Sequence, residues 1–150
     1  MPKVVIDALP TYDGPGSAAS FAGDLGAYKG YAISDYHGLR ELGANVETLM
    51  PGTRSSHRHW HDKNDELVTV LVGELVLLEE NEESLLVAGD IAVFPAGIQN
   101  GHCLENRSAT SATFLVTGTR LADDTCHYAD IDLVLHPDGS LTRADGSQPG

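Results

Sequence analysis

The chain has 150 residues, 41% of them apolar, and a formal net charge of −13 with only nine Lys and Arg side chains. That apolar content supports one sizeable core and a single domain over residues 1–150. The negative field disfavours nucleic acid and anionic membranes as partners, and no apolar run approaches the ~20 residues that span a bilayer.

Residues 1 to about 43 read as an irregular arm. Its opening, MPKVVIDALP, lacks a basic segment followed by a long apolar one, so a cytoplasmic address is the default expectation. Tyr12-Asp13-Gly14-Pro15-Gly16-Ser17 is rich in turn formers, and Gly23, Gly26 and Gly30 follow. Ser17 to Leu25 could form a short helix, weakened by Gly23.

From Ala44 the texture changes. Asn45 to Met50 alternates loosely and stops at Pro51-Gly52, which predicts a strand and a turn. Further strands are predicted over Glu66–Val72, Leu75–Leu78, Ser84–Val87, Ile91–Phe94 and Ala112–Val116, each closed by Gly, Pro or an acidic cluster. Glu79 to Glu83 reads as a solvated hairpin tip. In the extension 119–150, Asp132 to Thr142 reads as a hairpin around Pro137-Asp138-Gly139. Long helical periodicity is absent, and the pattern predicts an all-β sandwich or barrel, with arm and tail packed outside it.

Between the first two strands lies His57-Arg58-His59-Trp60-His61. On a strand, alternate residues share a face and lie ~6.6 Å apart, so two imidazoles can lean onto one cation at ~2.0–2.1 Å. Glu66 opens an otherwise apolar strand after the four-residue connection Asp62-Lys63-Asn64-Asp65. An ionised carboxylate facing such a core is costly without a cation beside it. His102 follows the turn Pro95 to Gly101 and could return to the same cavity. The candidate metal ligands are therefore His59, His61, Glu66 and His102. Trp60 and Arg58 fall on the opposite face, and Cys103 faces away from His102. His37, His127 and His136 read as ordinary histidines, and Cys103 with Cys126 makes no disulfide framework.

These residues carry a family resemblance. Gly52, His59-Trp60-His61, Glu66 after four residues and Gly73 after six more resemble the first motif of the cupin superfamily. Gly89-Asp90, Pro95-Ala96-Gly97, His102 and Asn106 resemble the second. Two spacings depart from the pattern. Six residues separate Gly52 from His59, so His57-Arg58-His59 is an alternative pair, and Asn100 stands where the usual gap places the second-motif histidine. The spacing to Glu66 favours His59 and His61, and Asn is a poor ligand for a transition metal. Whether His57 or Asn100 joins the site stays open.

The resemblance implies a double-stranded β-helix, or jelly roll, with barrel motifs over about 44–118 and one divalent Fe, Mn, Ni, Co or Zn ion inside. It implies a metal-dependent enzyme on a small organic molecule: a dioxygenase, a sugar or sugar-phosphate isomerase, or a lyase-like enzyme. The alternative is a non-catalytic ligand-binding or sensor protein. A phosphorylated substrate would need a basic clamp, for which Arg54, Lys63, Arg107 and Arg120 are the candidates. The resemblance also implies a homodimer. Acid–base residues stay unassigned.

Overall fold

The computed structural model describes residues 3–14, 25–26 and 28–150, so the helix expected over Ser17–Leu25 lies outside the described residues apart from Leu25. A short 3-10 turn, Ile6–Ala8, precedes β1 (Thr11–Asp13), β2 (Tyr28–Ala32) and the one-turn helix α1 (Ile33–His37). The chain then runs almost wholly as strands: β3 (Leu42–Leu49), β4 (His59–His61), β5 (Glu66–Val72), β6 (Glu74–Leu78) and β7 (Glu83–Val87). They are followed by β8 (Ile91–Phe94), β9 (Cys103–Glu105), β10 (Ala112–Thr119), β11 (Cys126–Tyr128), β12 (Leu133–Leu135) and β13 (Leu141–Thr142).

Three antiparallel sheets result, ordered β1-β2-β3-β10-β5-β8, β13-β12-β11-β4 and β7-β6-β9. Together they form the expected double-stranded β-helix. Period-two alternation decides which side chains enter it. On β5, Val68 and Val70 are buried, while Leu71 and Val72 at its end are exposed. With Leu49, Leu75, Leu77, Leu104 and Phe114 they make the core, each contributing ~1.5–3 kcal/mol by leaving water.

Gly73 turns the chain from the large sheet into the small one. Its φ is +79°, and a Cβ there would lie 2.9 Å from the Ser111 carbonyl oxygen, so only glycine suits both the conformation and the space. Asn106, fully buried, donates to the carbonyls of Leu49 at 2.9 Å and Thr110 at 2.8 Å. It accepts from the Ser108 amide and hydroxyl, which ties the β9–β10 connection to β3. This second-motif residue is thus a structural clasp.

The two flanks differ from expectation. The arm is not irregular throughout, because β1 and β2 extend the large sheet by pairing onto β3. The tail hairpin forms as predicted, with Val134 opposite Thr142 and Leu135 opposite Leu141. It does not merely pack outside, because β11 pairs with both β12 and β4 and so joins the hairpin to the sheet that holds His59 and His61. The physical reason is common to both: β3 and β4 would otherwise present unpaired edges, and the flanking strands cover them.

Candidate metal centre

β4 has one face toward the barrel and one away from it. Across the ladder His59 stands opposite Tyr128, Trp60 opposite His127 and His61 opposite Cys126. Trp60 stacks on His127 with centroids 3.9 Å apart, on the side away from His59 and His61, as its parity predicts. The 62–65 connection is pinned by Asp124, whose Oδ1 accepts the amides of Lys63 at 2.8 Å and Asn64 at 3.2 Å. That places Glu66, at the head of β5, in front of both imidazoles. The Gly97 amide donates to the His61 carbonyl at 2.8 Å, and His102 then bridges back to His59 through backbone bonds of 3.0 and 3.1 Å.

The result is a convergence on one oxygen. Glu66 Oε2 lies 3.6 Å from His59 Nε2, 3.7 Å from His61 Nε2 and 3.6 Å from His102 Nε2. These separations exceed a hydrogen bond. They approach the ~3.0–3.4 Å between neighbouring donors that each sit ~2.1 Å from a shared cation. Ligand atoms of His59, His61 and Glu66 all lie within 4.8 Å of one another, a group able to hold a metal ion. His102 Nε2 is buried and has no hydrogen-bond partner, a costly state that a cation at the convergence point would relieve.

The opposite ring nitrogens have acceptors that suit the ligating tautomer. His61 Nδ1 lies 2.6 Å from Asp124 Oδ2, and His59 Nδ1 lies 3.1 Å from the His57 carbonyl oxygen. An Nδ1–H donated to each acceptor leaves the Nε2 lone pair free for a ligand. Burial opposes ionisation of Glu66, but the imidazoles of His102 and His59 outweigh it and hold the carboxyl well below its usual range. Burial also lowers the pKa of His102, favouring the neutral ring that ligation needs. His102 is held flat against Phe94, centroids 3.5 Å apart.

A cavity of about 240 Å³ opens beside the cluster. His59, Glu66 and His102 form one side of it, and Val68, Phe114 and Val116 an apolar part of the wall. Sequence reasoning missed another wall residue, Glu47, which is buried at 9% exposure. Burial pushes its carboxyl up to about 7, nearby Glu66 pushes in the same direction, and a hydrogen bond from the Tyr12 hydroxyl opposes both. A signal existed: Glu47 shares its parity on β3 with the fully buried Leu49.

Of the open alternatives, His57 contributes its carbonyl to His59. The Asn100 side chain turns to the β6–β7 tip, donating to Glu79 and accepting from the Glu80 amide. The basic clamp candidates are all engaged elsewhere: Arg54 with Glu105, Lys63 with Asp123, Arg107 with Glu83 and Glu105, and Arg120 with Asp35. None of the four lines the 240 Å³ cavity. Arg58 pairs with Asp130, and His127 with Asp62. Cys103 and Cys126 are buried and unbridged.

A jelly roll with imidazoles and a glutamate gathered from β4, β5 and the approach to β9 defines a class of β-barrel with a metal-capable interior. The Cupin domain family model matches residues 45–118. A sugar phosphate isomerase of the cupin superfamily from Silicibacter pomeroyi is 39% identical, with a TM-score of 0.88 over 99% of this chain and 97% of that one. The chain belongs to the cupin superfamily. A protein from Acidithiobacillus ferrooxidans, provisionally named a sugar phosphate isomerase, is 28% identical with a TM-score of 0.73, over 79% of this chain and 76% of that one. At 20% identity and a TM-score of 0.65, over 79% of this chain and 99% of that one, a Thermotoga maritima protein named a predicted oxalate decarboxylase supports the fold alone. No curated protein matches the sequence. Among the described residues no helix is long and apolar enough to cross a membrane.

Proposed function

We propose that the protein is a metal-dependent isomerase of a sugar phosphate or a similar polyhydroxylated carbonyl compound. Nε2 of His59, His61 and His102 and a Glu66 oxygen would hold one divalent cation. The observation that carries the reading is the convergence of those three nitrogens on Glu66 Oε2, with His102 Nε2 buried and unpartnered. The 39% identity to a sugar phosphate isomerase supplies the reaction class.

The cation would polarise a carbonyl or hydroxyl of the substrate. The chain's own residues do the rest. Glu66 stays ionised without a proton to displace, and Asp124 and the His57 carbonyl hold two imidazoles in the ligating tautomer. The cavity is large enough for the carbonyl end of a sugar and presents Asn45, Ser55 and Ser56 to its hydroxyls. With no Arg or Lys in that lining, a phosphoryl group would sit toward the mouth. The reading includes a homodimer, since β8 is an edge strand that exposes Ile91 and Val93.

The test is elemental analysis of protein purified without added metal, then a screen of aldoses, ketoses and their phosphates with an oxygen electrode in the same cell. Stoichiometric divalent metal, lost in His59→Ala, His61→Ala and His102→Ala, with isomerisation and no oxygen uptake, is the expected result. Substrate-dependent oxygen consumption would select a dioxygenase instead. Unchanged metal content in all three variants would remove the ligand set.

A further inference from the structure

Glu47 is a buried carboxyl that the metal-site reading leaves unused. It lies on β3, opposite Gly30 of β2 and Phe114 of β10, and its side chain enters the same cavity as His59 and Glu66. The histidine nitrogens gather on Glu66 and not on Glu47. The Tyr12 hydroxyl donates to Glu47 Oε1 at 2.7 Å.

That bond is built across two strands. Tyr12 on β1 is in register with Gly30 on β2, which is in register with Glu47 on β3. The Tyr12 ring lies directly over Gly30, where a Cβ would fall 2.2 Å from Cζ and 2.5 Å from the hydroxyl oxygen. Any side chain at position 30 would block the reach. The ring also meets Tyr28 edge-on at 6.5 Å, which fixes its plane. A carboxyl that merely filled space would not need a glycine trough and a locked tyrosine to aim it.

We propose that Glu47 is the acid–base residue that carries hydrogen between the two reacting carbons of the substrate, and that Tyr12 is its positioning residue. This rests on the isomerase reading above. The Glu47 carboxylate takes a proton from C1 of an open-chain ketose. The C1–H electron pair becomes the C1=C2 double bond, and the carbonyl pair moves to O2. The protonated Glu47 carboxyl exchanges with solvent and then delivers a proton to C2 while the O1 hydroxyl proton passes to O2, leaving an aldehyde at C1. C1 is oxidised and C2 reduced, so no outside oxidant or reductant enters. The groups facing Glu47 are Tyr12 from β1, Tyr28 from β2, His59 from β4 and Glu66 from β5. A carboxyl aimed into the cavity by Tyr12 is placed to accept a proton from the substrate and to return one.

The experiment incubates the metal-loaded protein in deuterium oxide with fructose 6-phosphate, ribulose 5-phosphate and their unphosphorylated counterparts, and reads C2 deuterium by NMR. Wild type should convert at least one probe with deuterium at C2. Glu47→Gln, which can still accept the Tyr12 bond, should keep its metal stoichiometry and lose the conversion by about 10²–10⁴-fold. Tyr12→Phe should raise the pH midpoint of the carboxyl infrared band that Glu47→Gln removes, and shift the acidic limb of the rate profile with it. The rate-profile shift in Tyr12→Phe is read without Glu47→Gln and keeps the assignment testable if that variant fails to fold; an unshifted acidic limb overturns it. Conversion without deuterium means that the hydrogen passes between the carbons without meeting solvent, as in direct hydride transfer; that result, or a Glu47→Gln variant of wild-type rate, overturns the assignment alone. Wild-type inactivity on every probe overturns the isomerase reading and this assignment together.

Discussion

Asp124 accepts from His61 at 2.6 Å with one carboxylate oxygen and from the amides of Lys63 and Asn64 with the other. One side chain therefore orients a candidate ligand and shapes the turn that presents Glu66. Carboxylate partners of ligating histidines raise ligand basicity and typically govern ~10–100-fold in metal affinity. Asp124→Asn, which can preserve the amide contacts, should weaken metal binding by that factor, measured by chelator competition, with the unfolding midpoint little changed.

Glu47 makes stability depend on pH in a defined direction. Its pKa is about 7 in the fold against an ordinary 4.5. Between those values the folded protein keeps a proton that the unfolded chain releases, so stability falls as pH rises. The contribution is full below the lower value and gone above the upper one, roughly 3 kcal/mol in all. Urea titrations at pH 5 and pH 8 should show wild type losing more stability than Glu47→Gln, the difference isolating this group from the other carboxyls.

Gly30→Ala should act on Tyr12 rather than on its own strand. The new methyl carbon would fall 2.2 Å from the tyrosine ring, so the ring must leave its trough. The expected cost is ~1–3 kcal/mol of overpacking, read by thermal unfolding. The infrared midpoint of the Glu47 carboxyl should rise at the same time, because the Tyr12 hydrogen bond lowers it.

Asn106→Ala removes, at a fully buried position, the side-chain donors to the carbonyls of Leu49 and Thr110 and the acceptor for Ser108, while Thr110 keeps the Ser108 hydroxyl. A loss of about 3 kcal/mol is expected from equilibrium denaturation.

Much of the barrel was legible because its strands are short, apolar at one parity and closed by turn residues. Glu66–Val72 and Ile91–Phe94 form at the bounds their composition predicts. The ligand candidates were legible for a related reason, since strand alternation puts His59 and His61 on one face whatever the neighbours do. The flanks were not. Thr11–Asp13 and Cys126–Tyr128 are three residues long, too brief for periodicity to register, and exist because β2 and β4 offer them an edge. Tyr12 and Asp124 were hidden with them. Their partners lie 35 and 63 residues away, and no local pattern encodes a contact of that range. Glu47 was within reach of a stricter parity argument, but only burial separates an inward carboxyl from a solvated one.

The Cupin domain match spans residues 45–118, whereas Tyr12, Tyr28, Asp124 and Tyr128 all come from outside it. The candidate ligands and most of the chamber wall thus belong to the shared barrel, while the chain ends add Tyr28 and Tyr128 to that wall and supply Tyr12 and Asp124, the side chains that aim Glu47 and His61. Trimming the protein to its shared portion would preserve every candidate ligand yet leave His61 and Glu47 without the partners that orient them. The chain ends therefore act on the chamber mainly at one remove, by orienting side chains that the shared barrel already holds.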